Sequence, residues 1–297
     1  MLTALFRILA CLPLRALHAL GAALGWMAYL ASPAYRRRMR ENLQQAGLLE
    51  GPVLRRAIAE SGKQALEIAW VWTRPGEQLM RRVQADNPEV EAAILGERRA
   101  VLFLTPHLGC FEIIAQHYML REAGRARPML ALYRVPRKAA LRPLFEQARI
   151  RNGLRLASAD MRGVRLLIQA LKQRQLVALL PDQVPSRGEG VWAPFFGRPA
   201  YRMTLPARLA RAHDAVVGLF YAQRLPRGAG YRIRWERLEQ PLTGDPVADA
   251  TTINRAMELL IRRCPEQYLW SYARYKVPGG VAPPRGPVQG ARPEAPA

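Results

Sequence analysis

Residues 100–112 read A-V-L-F-L-T-P-H-L-G-C-F-E, and the fold is decided there. Val101-Leu102-Phe103-Leu104-Thr105 is a short apolar run rich in strand formers. Pro106-His107 makes a turn. From Leu108 the pattern becomes helix-like, with Ile113, Ile114, Met119 and Leu120 on its apolar positions, which predicts a helix over 108–122 that ends near Gly124. A buried strand that ends in a polar turn and opens a helix is where α/β proteins place functional groups. His107 and Glu112 are the acid/base candidates in that turn.

Downstream, apolar runs predict strands at 128–133, 176–180, 215–222 and 231–237. Helical spacing covers 138–152, 163–172, 205–212 and 251–264, and residues 188–197 read as a glycine- and aromatic-rich loop. Strands that alternate with helices imply an α/β fold with a mixed, largely parallel central sheet flanked by helices. Upstream, 41–49 and 53–72 read as helices and Pro75-Gly76 breaks the pattern. Residues 83–95 hold a short strand-like piece and a helix with Gly96 as its cap.

The first 35 residues are apolar with few charges. The uncharged run 16–35 has about the length that crosses a bilayer, although it includes His18, Gly21 and Gly25. Arg36-Arg37-Arg38-Met39-Arg40 follows at once and would hold that end on the cytoplasmic side. The expectation is a hydrophobic helical membrane anchor over 1–35, spanning the bilayer or lying in its interface, with a buried core helix as the alternative. The main domain would then cover 36–276. From Val277 the chain turns to Pro, Gly and Ala, which predicts a disordered tail over 277–297.

The 297 residues are half hydrophobic, enough for one large core, and the formal net charge is +22. Of 45 basic residues only Lys63, Lys138, Lys172 and Lys276 are lysines. Compositional bias toward Arg, Ala, Pro and Gly accounts for part of the excess, but the field still favours anionic partners. Cys11, Cys110 and Cys264 are far apart and form neither a disulfide framework nor a zinc pattern. Cys110 is a candidate nucleophile by position, set against the more common reading of a small buried thiol.

The His-x4-Glu spacing is weak alone, because His117 and Glu122 repeat it. Residues five apart on a helix lie about 140° apart around its axis, so that second pair should diverge and His117 reads as a packing residue. His107 precedes its helix, so its ring is free to fold toward a carboxylate in the first turn, where the helix dipole also favours an acid. A histidine base oriented by Glu112 suits proton abstraction from a hydroxyl. No Gly-x-Ser-x-Gly is present, which disfavours a serine hydrolase.

Several ordered blocks resemble the late acyltransferases of lipid A biosynthesis, within the wider lysophospholipid acyltransferase superfamily. His107-Leu-Gly-Cys-Phe-Glu112 looks like the catalytic His-x4-acid motif. Leu132-Tyr133-Arg134, Arg149-Ile-Arg151, Pro181-Asp182-Gln183, Trp192-Ala-Pro-Phe-Phe-Gly197 with Pro199-Ala200, and Trp270-Ser-Tyr-Ala-Arg274-Tyr-Lys276 look like its later blocks. The resemblance implies transfer of a fatty acyl chain from acyl carrier protein to a hydroxyl of a lipid A precursor, a step of lipopolysaccharide synthesis at the cell inner membrane, with the catalytic domain on the cytoplasmic side. It implies no metal and no bound cofactor.

His107 would be the general base and Glu112 its orienting acid. Arg134, Arg149 and Arg151 would contact phosphate or an oxyanion. Asp182 would support activity, for example by holding an arginine, and Phe195-Phe196-Gly197 would line an acyl groove or pack in the core. After Asp182-Gln183 this chain reads Val184-Pro185-Ser186-Arg187-Gly188 instead of the family's usual Tyr-Gly, which leaves the acceptor open. The alternatives are another lipid acceptor (a lysophospholipid, an ornithine lipid or a glycolipid) and a non-catalytic basic membrane-surface or nucleic-acid-binding protein. The last lacks any nucleic-acid module.

Overall fold

The computed structural model describes residues 2–134, 149–150 and 152–284. Four helices come first: α1 (Leu2–Cys11), α2 (Leu14–Ala31), α3 (Pro33–Gln45) and α4 (Gly51–Thr73). They are followed by α5 (Gly76–Met80), β1 (Val83–Ala85), α6 (Pro88–Leu95), β2 (Val101–Leu104), α7 (Phe111–Leu120) and α8 (Glu122–Ala126). The chain continues with β3 (Met129–Tyr133), β4 (Arg155–Ser158), α9 (Met161–Lys172), β5 (Leu176–Leu179), β6 (Gly190–Phe195) and β7 (Arg198–Met203). It closes with α10 (Leu205–Ala212), β8 (Val216–Arg224), β9 (Tyr231–Arg237) and α11 (Pro246–Arg263).

Seven strands form one sheet in the order β1-β9-β8-β2-β5-β3-β4. Every pairing is parallel except β8 with β9. This is the mixed, largely parallel α/β sheet expected from the alternation of elements. β2 lies between β5 and β8, and all four of its residues are buried. Its side chains alternate between the faces. Leu102 and Leu104 enter one core with Leu130, Val177, Leu219 and Leu260, while Val101 and Phe103 enter the other with Met129, Leu176, Ile113 and Phe220. A strand buried on both faces reads as a continuous apolar run, which is what residues 101–104 show.

Three expectations are corrected. The helix after His107 begins at Phe111, because Leu108-Gly109-Cys110 is spent on strand-like contacts: the Gly109 N–H donates to the Gln267 carbonyl (3.0 Å) and the Cys110 N–H to the Ala222 carbonyl (2.8 Å). Gly109 has φ +58°, and a side chain there would collide with the Ala222 carbonyl. The 188–197 stretch is a hairpin arm, not an open loop. β6 and β7 pair antiparallel around Phe196-Gly197, both at positive φ, the backbone of a tight two-residue hairpin turn.

The third correction concerns the N-terminus. Among the described residues no helix is long and apolar enough to cross a membrane. Pro13 and the Ser32-Pro33 junction divide the apolar run. Gly21 and Gly25 then press α2 against Gly62 and Lys63 of α4, so closely that a Cβ at Gly21 would stand 2.7 Å from the Lys63 Cα. One face of α2 (Leu14, Leu17, His18, Gly21, Gly25, Tyr29) is thereby buried in protein.

The predicted 138–152 helix falls mostly outside the described residues. So do Arg151 and residues 285–297 of the predicted tail. Within 277–284 the chain makes a contact of its own: the Ala282 carbonyl accepts from Trp192 Nε1 (2.9 Å).

Candidate active site

The sheet brings two loops together at the carboxyl ends of neighbouring strands. β2 leads into Thr105-Pro106-His107, and β5 leads into Leu180-Pro181-Asp182-Gln183. The closing segment locks the first loop from outside. The Leu269 N–H donates to the His107 carbonyl (3.1 Å), and Leu108 bridges Tyr268. Gln64 on α4 donates to the Gly109 carbonyl (3.1 Å).

His107 is held on both ring nitrogens. Its Nδ1 lies 2.6 Å from Asp182 Oδ1, and its main-chain N–H donates to Asp182 Oδ2 at 3.1 Å. The Gln183 amide nitrogen sits 3.0 Å from Nε2. A carboxylate can only accept, so Nδ1 carries the proton and Nε2 presents its lone pair, to which Gln183 donates. Asp182 is buried. Burial alone would raise its pKa, but the contacts with His107 and the charge of Arg274 outweigh that effect and hold the carboxyl well below the usual carboxylate range.

The orienting contact expected from Glu112 is therefore made by Asp182. The extended 108–110 segment carries Glu112 away to the first turn of α7. There its carboxylate accepts from Trp72 Nε1 (3.1 Å) and from Arg149 Nε (3.1 Å) and Nη2. The Arg149 guanidinium also lies over the Trp72 ring, 5.2 Å from its centroid. Glu112 thus fixes an arginine in place, a bidentate arrangement that suits the guanidinium fork.

His107, Glu112, Arg134, Arg149 and Gln183 all line one cleft of about 270 Å³. Its remaining wall is largely apolar: Phe111, Ala115, Met129, Ala131, Leu154, Leu156, Ala178, Met203 and Phe220. The site therefore joins a base, two cationic side chains and an apolar trough. Asp182 stands behind His107 and is not in the wall. Phe195 and Phe196 also lie elsewhere, buried in the core with Trp270 and Tyr268, which gives them the packing role.

Cys110 is buried and its thiol is pushed well above its ordinary pKa by burial first and then by the charge of Glu67, so it is no nucleophile near neutral pH. His117 is buried on α7 and its pKa is lowered to about 4 by burial and by Arg121, which keeps it neutral.

The sequence does not announce that Trp72 donates to Glu112, that Arg202 donates to the Asp182 carbonyl (2.6 Å), or that Gln183 meets His107 Nε2. Gln183 was visible inside a matched block. Arg202 carried no signal, because one more arginine in so basic a chain reads as surface.

The description "bacterial lipid A biosynthesis acyltransferase" fits residues 1–277 as a family. The chain is 28% identical over 221 residues to the lipid A biosynthesis lauroyltransferase of Escherichia coli strain K12, covering 72% of this chain and 68% of that one. It is 26% identical over 222 residues to the palmitoleoyltransferase of the same organism, covering 74% and 68%. It is also 26% identical over 275 residues to the myristoyltransferase, covering 88% and 82%.

Proposed function

The chain belongs to the bacterial lipid A biosynthesis acyltransferases and is an acyltransferase, and on that premise we propose that it moves a fatty acyl chain from an acyl carrier protein thioester to a hydroxyl of a lipid A precursor. The observation that carries this reading is the position of His107 Nε2: its lone pair is fixed by the Nδ1 contact with Asp182 and opens on the apolar cleft.

In the proposed reaction the acceptor hydroxyl displaces the Gln183 amide from Nε2. Nε2 takes the hydroxyl proton as the oxygen attacks the thioester carbonyl. The C–O bond forms, and the negative charge that builds on the carbonyl oxygen faces Arg134 and Arg149 at the cleft wall. The C–S bond then breaks, and the leaving thiolate takes the proton back from Nε2. The apolar wall receives the acyl chain, and the same arginines suit acceptor phosphate. His107 is the base, Asp182 orients it, and Glu112 holds Arg149.

The reading places the protein at the cytoplasmic face of the inner membrane. α2 offers an outward stripe of Leu20, Leu24, Met27 and Leu30, all exposed, with Arg36, Arg37 and Arg40 just beyond. Its other face is welded to α4, so the helix would lie in the interface rather than cross it. Purified protein, acyl carrier protein loaded with a fatty acid, and a lipid A precursor test the proposal by mass spectrometry of the lipid. Transfer by the wild type and its loss in His107→Ala are expected. A His107→Ala protein as active as wild type would refute the base, and absence of transfer to any lipid A precursor would refute the acceptor.

A further inference from the structure

The main chain of Asp182 is held by two arginines that the proposed chemistry does not use. Arg202 on β7 and Arg274 in the closing segment are each 2% exposed. Both donate to the Asp182 carbonyl, Arg202 through Nη1 at 2.6 Å and Arg274 through Nη1, and the same Arg274 nitrogen lies 3.3 Å from Asp182 Oδ2. The flat faces of both guanidiniums rest on rings. Arg202 lies 3.9 Å from the Phe195 centroid, and Arg274 lies 4.5 Å from Tyr268 and 5.3 Å from Tyr272.

This is a costly way to fill a core. Arg202 Nε and Nη2 are buried with no hydrogen-bond partner. Burial and the like charge of Arg274 lower its pKa to about 10. Buried donors left unsatisfied destabilise a fold, and an apolar side chain of similar volume often replaces a buried ion without loss. What an apolar replacement would not supply is a grip on the Asp182 carbonyl or positive charge beside its carboxylate.

We propose that Arg202 and Arg274 are positioning residues for proton transfer: with Phe195 and Tyr268 beneath them, they form a cationic clamp that fixes the Asp182 backbone and holds its carboxylate against His107 Nδ1. The clamp gives one role to two separate sequence blocks, 192–202 and 270–276. The Phe-Phe-Gly hairpin supplies Arg202 and the ring it rests on. The closing Trp-x3-Arg supplies Arg274, and both converge on one carbonyl.

The kinetic arm of the test rests on the acyltransferase reading, but the spectroscopic arm does not. In the full-length protein, proton NMR should show a low-field Nδ1–H resonance, assigned by its disappearance in His107→Gln. Arg202→Met keeps the bulk over Phe195 and removes the charge. In that variant the resonance should move upfield or broaden while the thermal midpoint is kept or raised. In the acyl-transfer assay kcat should fall about tenfold or more, with KM changed less than about twofold. An unmoved resonance with unchanged kcat overturns the clamp, as does a loss of activity that merely follows loss of fold. Should Arg202→Met not fold, Arg274→Lys decides by the same readouts, since lysine keeps the charge but not the fork. A wild type that transfers no acyl chain refutes the functional reading, and the resonance still decides the clamp.

Discussion

Replacing Asp182 by asparagine should cost far more activity than replacing Glu112 by glutamine, and the structure gives the reason atom by atom. Asp182 Oδ2 faces two donors, the His107 N–H at 3.1 Å and Arg274 Nη1 at 3.3 Å. In Asp182→Asn the amide oxygen must take that place. The NH2 group then faces His107 Nδ1, 2.6 Å from the present Oδ1. Nδ1 becomes the acceptor and the ring proton moves to Nε2, so the cleft meets an N–H where the base was. In the serine-protease triad the equivalent wrong tautomer lowers kcat by about 10⁴. Glu112→Gln leaves one oxygen to accept from Arg149 and removes one charge-assisted bond, worth about 1.5–3 kcal/mol, which is roughly a 10- to 100-fold loss. Initial rates of acyl transfer at saturating substrates should therefore differ by about 100-fold or more between the two variants. Glu112→Gln as damaging as Asp182→Asn would refute the assignment of Asp182 as the orienting acid.

Three further outcomes are expected. Glu67 is fully buried and bound by Arg224 Nε (2.7 Å) and Nη2 (2.6 Å). Burial raises its pKa, but Arg224 and His18 outweigh that and lower it to about 2 from 4.5. The unfolded chain thus binds the proton more readily, so this carboxylate stabilises the fold above pH 4.5 and loses that contribution as pH falls toward 2. Urea midpoints of Glu67→Gln should be lower at pH 7 and flatter across that window, and an unchanged pH slope would contradict the charge pairing. Met27→Glu with Leu30→Glu should weaken co-sedimentation with anionic vesicles severalfold at unchanged thermal midpoint, from lost apolar contact and added like charge; undiminished binding would place the membrane contact elsewhere. Gly62→Val should lower the thermal midpoint markedly, because a Cβ there meets the Gly25 backbone, its Cα at 2.9 Å; an unchanged midpoint would mean that α2 is free to shift on α4.

Much of the sheet was legible because its strands carry their own signature. β2, β5 and β9 lie within a residue of their expected bounds: runs such as Leu176-Val177-Ala178-Leu179 are buried on both faces and remain apolar throughout, whereas β9 alternates buried Tyr231, Ile233 and Trp235 with Arg232, Arg234 and Glu236. What failed depended on distant partners. Leu108-Gly109-Cys110 has helical periodicity but is claimed by Ala222 and Gln267, more than a hundred residues away. Residues 16–35 have the composition of a bilayer span, yet Gly21 and Gly25 are contact glycines whose partner, Gly62, no local pattern reveals. In the site, His107, Arg134, Arg149 and Glu112 were found by motif and do line one cleft. The pairing among them was not legible. Spacing in sequence suggested Glu112 for His107, whereas adjacency of β2 and β5 delivers Asp182.

The closing segment has a consequence for the protein's birth. Residues 267–274 grip the His107 turn through Leu269 and Gln267 and reach Asp182 through Arg274. Domains generally fold as the chain emerges, at about 5–20 residues per second. Here every strand of the sheet precedes, in chain order, the segment that fixes the His107 turn and Asp182, so the strands are made before the residues that aim the ring. A chain truncated between Arg237 and Leu269 would keep every strand of the sheet and lose the contacts of Leu269 with the His107 turn and of Arg274 with Asp182.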